Sequence, residues 1–356
     1  DGTVGVGSCI GGPPGCYIVE HHLSRFVEGE DPRNVERIWD KMWRGSINYG
    51  RKGLTIQAIS AVDIAIWDLM GHLRNEPVYA MLGGVTKAGG RLPVYCTGCK
   101  PKWAKDQGFV GAKVPLPYGP AAGDEGFRKN IEWLKQCRAE VGPDYPLMLD
   151  CYMALTVPYS IKLANAISQP ELSIKWMEEF LPPDDYEGYR EVRKATRGLS
   201  LMLTTAEHEY TRYGYHQLLN PTPVVDILQP DVTWCGGITE ARRIIQQAAA
   251  QNVLVIPHGS GPYSYHLQMA FSNCPVAEFI CLSPTSDQIV PYFGSLFSDE
   301  VLPKEGWVDI PDRPGFGLTL NRGGLVRPYE RTAEASAANV KTTLGFTAPA
   351  KAHMPF

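Results

Sequence analysis

Between residues 147 and 258 the chain repeats one pattern: a short apolar run, then an ionisable residue where the run stops. Asp150 follows Leu147-Met148-Leu149, Glu178-Glu179 follow Lys175-Trp176-Met177, and Glu207-His208 follow Thr204-Thr205-Ala206. Asp231 follows Leu228-Gln229-Pro230, and His258 closes Val253-Leu254-Val255-Ile256-Pro257. The steps from 150 to 178, 207, 231 and 258 are 28, 29, 24 and 27 residues, each the length of one strand and one helix. Strands are expected at 92–97, 109–114, 146–151, 174–180, 200–206, 224–229, 252–256 and 278–282. Helical patterns at 127–140, 157–167, 186–195 and 239–250 fill gaps between them. Eight such strands make either a parallel barrel or a doubly wound sheet. No Gly-x-Gly-x-x-Gly follows an early strand and there is no P-loop, so the nucleotide-binding open sheet fits less well and a barrel is expected.

The first ninety residues read differently. A turn and strand are expected over 1–9, then helices at 16–26, 34–43 and 54–73, the last too apolar for a surface helix. Met81-Leu82-Gly83-Gly84 is a helix stop. The expected division is an N-terminal unit over 1–90, a barrel over 91–305, and a C-terminal segment over 306–356 returning to the first unit. The tail from Thr332 is Ala- and Thr-rich, expected to pack on the first unit or hang loose.

Composition removes several function classes. The 34 basic and 38 acidic residues leave a net charge of −4, without the basic excess that nucleic-acid binding needs. No uninterrupted apolar run reaches the ~20 residues of a membrane span. Nine scattered cysteines form no disulfide framework, and Cys96-x-x-Cys99 has no second ligand pair, so reduced thiols and a cytoplasmic location are expected. The chain begins Asp-Gly-Thr, with neither an initiator Met nor a signal peptide, and reads as a piece whose ends are missing.

In a parallel barrel, residues at strand ends meet at the C-terminal mouth, where barrel enzymes carry out their chemistry. Carboxylates from three strands repel one another unless a cation joins them. Oxygen ligands alone suit a hard ion, Mg²⁺, whereas zinc would recruit His or Cys. Helix capping or surface pairing would explain one such acid but accounts poorly for three in successive units. Asp231 stands one strand before His258 and can bond one imidazole nitrogen, leaving the other free to take a proton. The remaining histidines, apart from His208, read as structural.

Together these residues resemble the enolase superfamily: Asp150, Glu178-Glu179 and Glu207 match its three metal-ligand positions. Asp231 with His258, and Glu278 twenty residues on, match the mandelate racemase subgroup. Within it, Asn48-Tyr49-Gly50-Arg51-Lys52-Gly53, Met177-Glu178-Glu179, Pro182-Pro183-Asp184-Asp185-Tyr186, Ala206-Glu207-His208, Gln229 to Gly237 and Pro257-His258-Gly259-Ser260 resemble the L-rhamnonate dehydratases. The resemblance runs to about residue 328. It implies an α+β capping domain, its first strands and mobile loop missing here, over a modified TIM barrel, (β/α)7β. It also implies one Mg²⁺ per subunit held by Asp150, Glu178 and Glu207, the first Glu of the pair being the family's ligand. His258, held by Asp231, would be the base, and a protonated Glu278 the electrophilic acid. The implied reaction takes the α-proton of an acid sugar, L-rhamnonate, and expels its 3-hydroxyl to leave a 2-keto-3-deoxy acid. Galactonate, gluconate or fuconate are alternative substrates; a non-catalytic ligand-binding barrel is the alternative of another class. Related enzymes are homo-oligomers, octamers among them.

The departures also carry information. Racemases of the subgroup have Lys-x-Lys on the second barrel strand, the second Lys being the opposite-face base. Here it is Lys113-Val114-Pro115, and proline cannot take a proton, which favours a dehydratase. Lys113 is expected to face the substrate as a fixed charge. His208 would touch substrate or aid the leaving group, or else only pack. Arg51 and Lys52 order an acid-binding loop or form a solvated turn.

Overall fold

The computed structural model describes residues 2–325. Eight parallel strands build the central sheet: β1 (Arg91–Thr97), β2 (Ala112–Pro115), β3 (Leu147–Asp150), β4 (Trp176–Glu178), β5 (Met202–Thr205), β6 (Ile227–Leu228), β7 (Leu254–Val255) and β8 (Ala277–Ile280). Their hydrogen-bonded order is β7-β6-β5-β4-β3-β2-β1-β8, each sequential neighbour from β1 to β7 lying beside the last. After a cap holding five helices, described below as α1 to α5, one helix follows each of the first seven strands. They are α6 (Pro101–Asp106), α7 (Gly123–Val141), α8 (Val157–Ile167), α9 (Tyr186–Ala195), α10 (Thr211–Leu219), α11 (Gly237–Ala250) and α12 (Pro262–Ala270). Seven strand–helix units and a closing strand make the (β/α)7β barrel. A short ninth strand, β9 (Trp307–Asp309), pairs antiparallel with β1.

The strands are shorter than their apolar runs because β-ladders stop where backbone turns aside to place a side chain at the mouth; Glu179 and Ala206 both have positive φ just past β4 and β5. Below that mouth the barrel is filled. Tyr95, Met148, Trp176, Ile227 and Ile256 make an apolar plug, with Tyr95 and Trp176 edge to face at 5.2 Å between ring centroids.

The cap is helical: α1 (Gly12–Ile18) runs through a π-turn at Val19–Leu23 into α2 (Ser24–Val27), followed by α3 (Val35–Ser46), α4 (Leu54–Arg74) and α5 (Val78–Met81). The strand expected over 1–9 does not form. Among the described residues no strand lies beside that segment; it runs along α4 instead, with Val6 N–H donating to Asp68 Oδ2 at 2.9 Å. A side chain at position 5 would stand 2.1 Å from the Ala65 carbonyl oxygen, so glycine is what permits the approach.

Although α4 is 21 residues long and apolar enough on average to cross a membrane, 67% of its most apolar stretch is buried inside the protein. It docks on α11 through Asp63 and Ser60, which accept the N–H groups of Thr239 and Gly236, both at 2.9 Å. Trp39 Nε1 donates to the Gly236 carbonyl at 2.7 Å. Gly237 has φ 79, and a Cβ there would meet Asp63 at 2.5 Å; the glycine pair thus seats the cap directly behind the loop that carries Asp231. Beyond β9 the chain reaches the cap, Phe316 N–H donating to Asp68 Oδ1 at 3.0 Å. The tail from Thr332 lies outside the described residues.

The second docking point carries a titratable group. His266 on α12 is fully buried, stacks near Tyr79 and Phe316, and accepts the Tyr79 N–H at Nδ1, 3.1 Å. Burial pushes its pKa down to about 3 from 6.5. The unfolded chain therefore binds a proton that the folded chain refuses, and stability falls as pH drops from 6.5 towards 3, by about 1.4 kcal/mol per unit. Urea midpoints measured at pH 7.5 and 5.5 should show a flatter pH dependence for His266→Asn than for the wild type; equal slopes would place the acid sensitivity elsewhere.

Candidate active site

Asp150 and Glu178 are register partners on β3 and β4, so both side chains face the same side of the sheet. Lys113, from β2, lies among them and is 1% exposed. Its Nζ pairs with Glu178 Oε1, with Glu278 Oε1 at 2.9 Å, and approaches Asp150 Oδ2 at 3.9 Å. Glu178 is fully buried, and its other oxygen accepts Trp176 Nε1 and Gln229 Nε2, each at 2.9 Å. The neighbouring Glu179 points elsewhere: its carboxylate bonds His208 Nδ1 at 2.7 Å. Glu179, Glu207 and His208 present ligand atoms within 4.8 Å of one another.

Across the mouth, His258 Nδ1 and Asp231 Oδ2 are 2.9 Å apart. Asp231 is fully buried, and its other oxygen accepts Thr233 N–H and the hydroxyls of Thr233 and Ser260 at 2.6–2.7 Å. Those donors fix the carboxylate, which in turn fixes the imidazole. His258 Nε2 is left facing Glu207 Oε2 at 3.6 Å, beyond hydrogen-bonding range. All eight residues singled out from the sequence (Asp150, Glu178, Glu207, Asp231, His258, Glu278, Lys113 and His208) therefore gather at the C-terminal end of the barrel.

The electrostatics of the cluster follow from its dryness. Burial first, and then neighbouring carboxylates, raise the pKa values of Asp150, Glu178 and Glu207 against the pull of Lys113 or His258. His258 moves well above its ordinary value: burial opposes this, but Glu207 and the bond to Asp231 outweigh it. Three acids that resist ionising beside a single buried ammonium mark a place short of positive charge, but among the described residues the ligand atoms found within 4.8 Å of one another are those of Glu179, Glu207 and His208, not of the expected Asp150, Glu178 and Glu207.

Glu278 departs from the expected protonated acid. Burial would raise it, yet Lys113, His258 and the Thr97 hydroxyl together hold it down at about 2. Gly259 N–H also donates to it at 2.7 Å. In this arrangement Glu278 is a carboxylate, and the positive partner beside it is Lys113. Lys52, an exposed residue in the bend at 51–52, ties the cap to the barrel through Asp184, buried Glu209 at 2.9 Å and Tyr186 OH at 3.2 Å. Sequence reasoning also passed over Gln229, Thr97 and Trp234. Of these, Gln229 had a visible signal, since it directly precedes Pro230-Asp231 at the end of β6.

An open concavity of about 910 Å³ lies at the other end of the barrel, around the Arg193–Asp226 pair; no member of the cluster lines it. All nine cysteines are free thiols; Cys96 is buried within β1 and Cys99 just past its end.

Comparison with known proteins gives a consistent picture. Residues 1–83 match the mandelate racemase / muconate lactonizing enzyme N-terminal domain, and residues 98–323 match the enolase C-terminal domain-like family. An L-rhamnonate dehydratase of Saccharopolyspora erythraea is 50% identical over 331 residues, 93% of this chain and 83% of that protein. The crystal structure of L-rhamnonate dehydratase from Gibberella zeae superposes with a TM-score of 0.83 at 49% identity, covering 87% of this chain and 78% of that one. A Mg complex of rhamnonate dehydratase from Gibberella zeae gives the same TM-score and identity, covering 87% and 75%.

Proposed function

We propose, from the premise that the chain belongs to the mandelate racemase / muconate lactonizing enzyme family of the enolase superfamily, that it is a Mg²⁺-dependent acid-sugar dehydratase acting on L-rhamnonate. The observation that carries the reading is the Asp231–His258 pair, 2.9 Å apart, with the other imidazole nitrogen facing the Glu207 carboxylate at 3.6 Å. Asp150, Glu178 and Glu207 hold the ion. Bound Mg²⁺ polarises the substrate carboxylate and acidifies the adjacent C–H.

The chain's own groups do the rest. His258 Nε2 takes the proton from C2; Asp231 holds Nδ1–H and thereby fixes the tautomer and orientation. The buried Lys113 ammonium, with Glu278 at its side, supplies fixed positive charge where the substrate carboxylate gains electrons. The C3–O bond then breaks, His258 returns its proton to the departing hydroxyl, and water leaves. The enol tautomerises to the 2-keto-3-deoxy acid. One base serves both steps, so the elimination is syn. A second base on the opposite face is missing because its expected position is Pro115, in register with Asp150.

The location that goes with such an enzyme is cytoplasmic, and the assembly a homo-oligomer. A screen of aldonates for 2-keto-3-deoxy products should show the highest kcat/KM for L-rhamnonate. A clear preference for galactonate, gluconate or fuconate would overturn the substrate but leave the proton chemistry standing.

A further inference from the structure

Four rings form a row across the mouth: Tyr152, His208, Trp234 and His258. Tyr152 meets His208 edge-on at 5.8 Å between centroids, and Trp234 lies 5.3 Å from each of the two imidazoles. The row starts at the base and ends on the far side of the Glu179–Glu207–His208 group. Two of its polar atoms are tied to carboxylates. His258 Nδ1 is bonded to Asp231, and His208 Nδ1 to Glu179. Trp234 Nε1 is different: it is buried, and no protein atom among the described residues accepts its hydrogen. An indole nitrogen can only donate, and a buried donor left unpaired is costly; six other buried side-chain atoms also lack a partner among the described residues, but Trp234 Nε1 is the one whose ring lies against His258. The backbone holds the ring firmly, Trp234 N–H donating to the Asp231 carbonyl at 3.0 Å within the loop that also carries the base's partner.

We propose that Trp234 is a substrate-contacting, specificity-determining residue, its indole N–H donating to a hydroxyl of the sugar-acid chain beyond C3 while the ring face packs against the chain's C–H groups. The assignment rests on the acid-sugar dehydratase reading. If C2 lies at His258 Nε2, a ring one step further along the row meets the substrate past the bond that breaks. The contact therefore serves recognition and alignment rather than the proton transfer itself. It also explains why the site would reject acids with a short or hydroxyl-free chain: the indole donor would stay buried and unpaired.

The test is a substrate-deletion cycle. Trp234→Phe removes the N–H and keeps an aromatic face; kcat/KM is measured for it and for the wild type on the parent aldonate and on its 4-deoxy and 5-deoxy analogues. The parent should lose about 10- to 100-fold in the variant, and for one deoxy analogue the two enzymes should become equal. A merely structural role would lower every substrate alike, and that result, or a loss under twofold on the parent, overturns the proposal. If Trp234→Phe does not fold, Trp234→Tyr repeats the cycle with a donor of different reach and should show a smaller but still substrate-selective loss. If the wild-type enzyme turns over no aldonate, the dehydratase reading fails and this assignment falls with it; wild-type turnover with no selectivity in the cycle removes only the assignment.

Discussion

Replacing His258 with Asn should cut both α-proton exchange and dehydration by about 10⁴-fold, the upper range for a general base, while Mg²⁺ affinity stays within about threefold of wild type. The argument is geometric. Asn keeps a polar side chain near Asp231 but offers nothing that can accept and hold a proton at the Nε2 position. His258 hydrogen-bonds Asp231 and meets Glu207 only as an ion pair at 3.6 Å, so its loss leaves every oxygen proposed to hold the metal in place. If a divalent cation matches the charge on Glu207, Asp231 and Glu278 are the acids left to set the base strength of His258. Exchange would be followed by loss of the C2–H signal in deuterated solvent, product by 2-keto acid formation, and metal affinity by calorimetry. Exchange within tenfold of wild type would place the base elsewhere, His208 being the next imidazole along the row.

The two reactions should fall together. If one group both removes the C2 proton and returns it to the leaving hydroxyl, no variant at 258 can exchange without eliminating through the same pathway. A variant that exchanges at the wild-type rate yet forms no product would split the two roles between His258 and a second acid.

How much of this was legible beforehand depends on the kind of signal. The period of 24–29 residues and the ionisable strand ends come from local chemistry, and the barrel, the Asp231–His258 pair and the gathering of the acids follow from them. The helices at 157–167 and 186–195 were bounded as found, because a Pro or Asp starts each and an amphipathic run fills it. What was not legible depends on contacts made across the fold. The segment 1–9 looks like a strand, but it has no strand to pair with and lies on α4. Helix α12 has no polar face to give a period; all nine of its residues are buried, so the sequence pattern is silent there. Nor could pattern alone reveal the charge on Glu278, which is fixed by Lys113 from a strand 165 residues earlier in the chain. The unpaired indole of Trp234 is likewise a property of what surrounds it, not of its neighbours in sequence.

The choice between Glu178 and Glu179 as metal ligand makes the second large prediction. Glu178→Gln should weaken Mg²⁺ binding about 100-fold or more and abolish turnover, whereas Glu179→Gln should weaken binding less than about tenfold. Alternation along β4 turns consecutive side chains to opposite faces, and Glu178 shares its face with Asp150 through direct register. Its carboxylate is aimed by Trp176 from below and by Gln229 just past β6, which is how an oxygen ligand is held rigid for an ion. Glu179 reaches the mouth only because its backbone takes φ 41, and there it is committed to His208. Its expected task is to orient that imidazole, so its loss should alter substrate KM more than metal affinity. Calorimetric Mg²⁺ titrations of both variants, with thermal melts to confirm folding, decide the matter. The opposite ranking, with Glu179→Gln losing the ion and Glu178→Gln keeping it, would move the centre to the Glu179–Glu207–His208 side of the mouth. It would also leave Glu178 as no more than the counter-charge of Lys113.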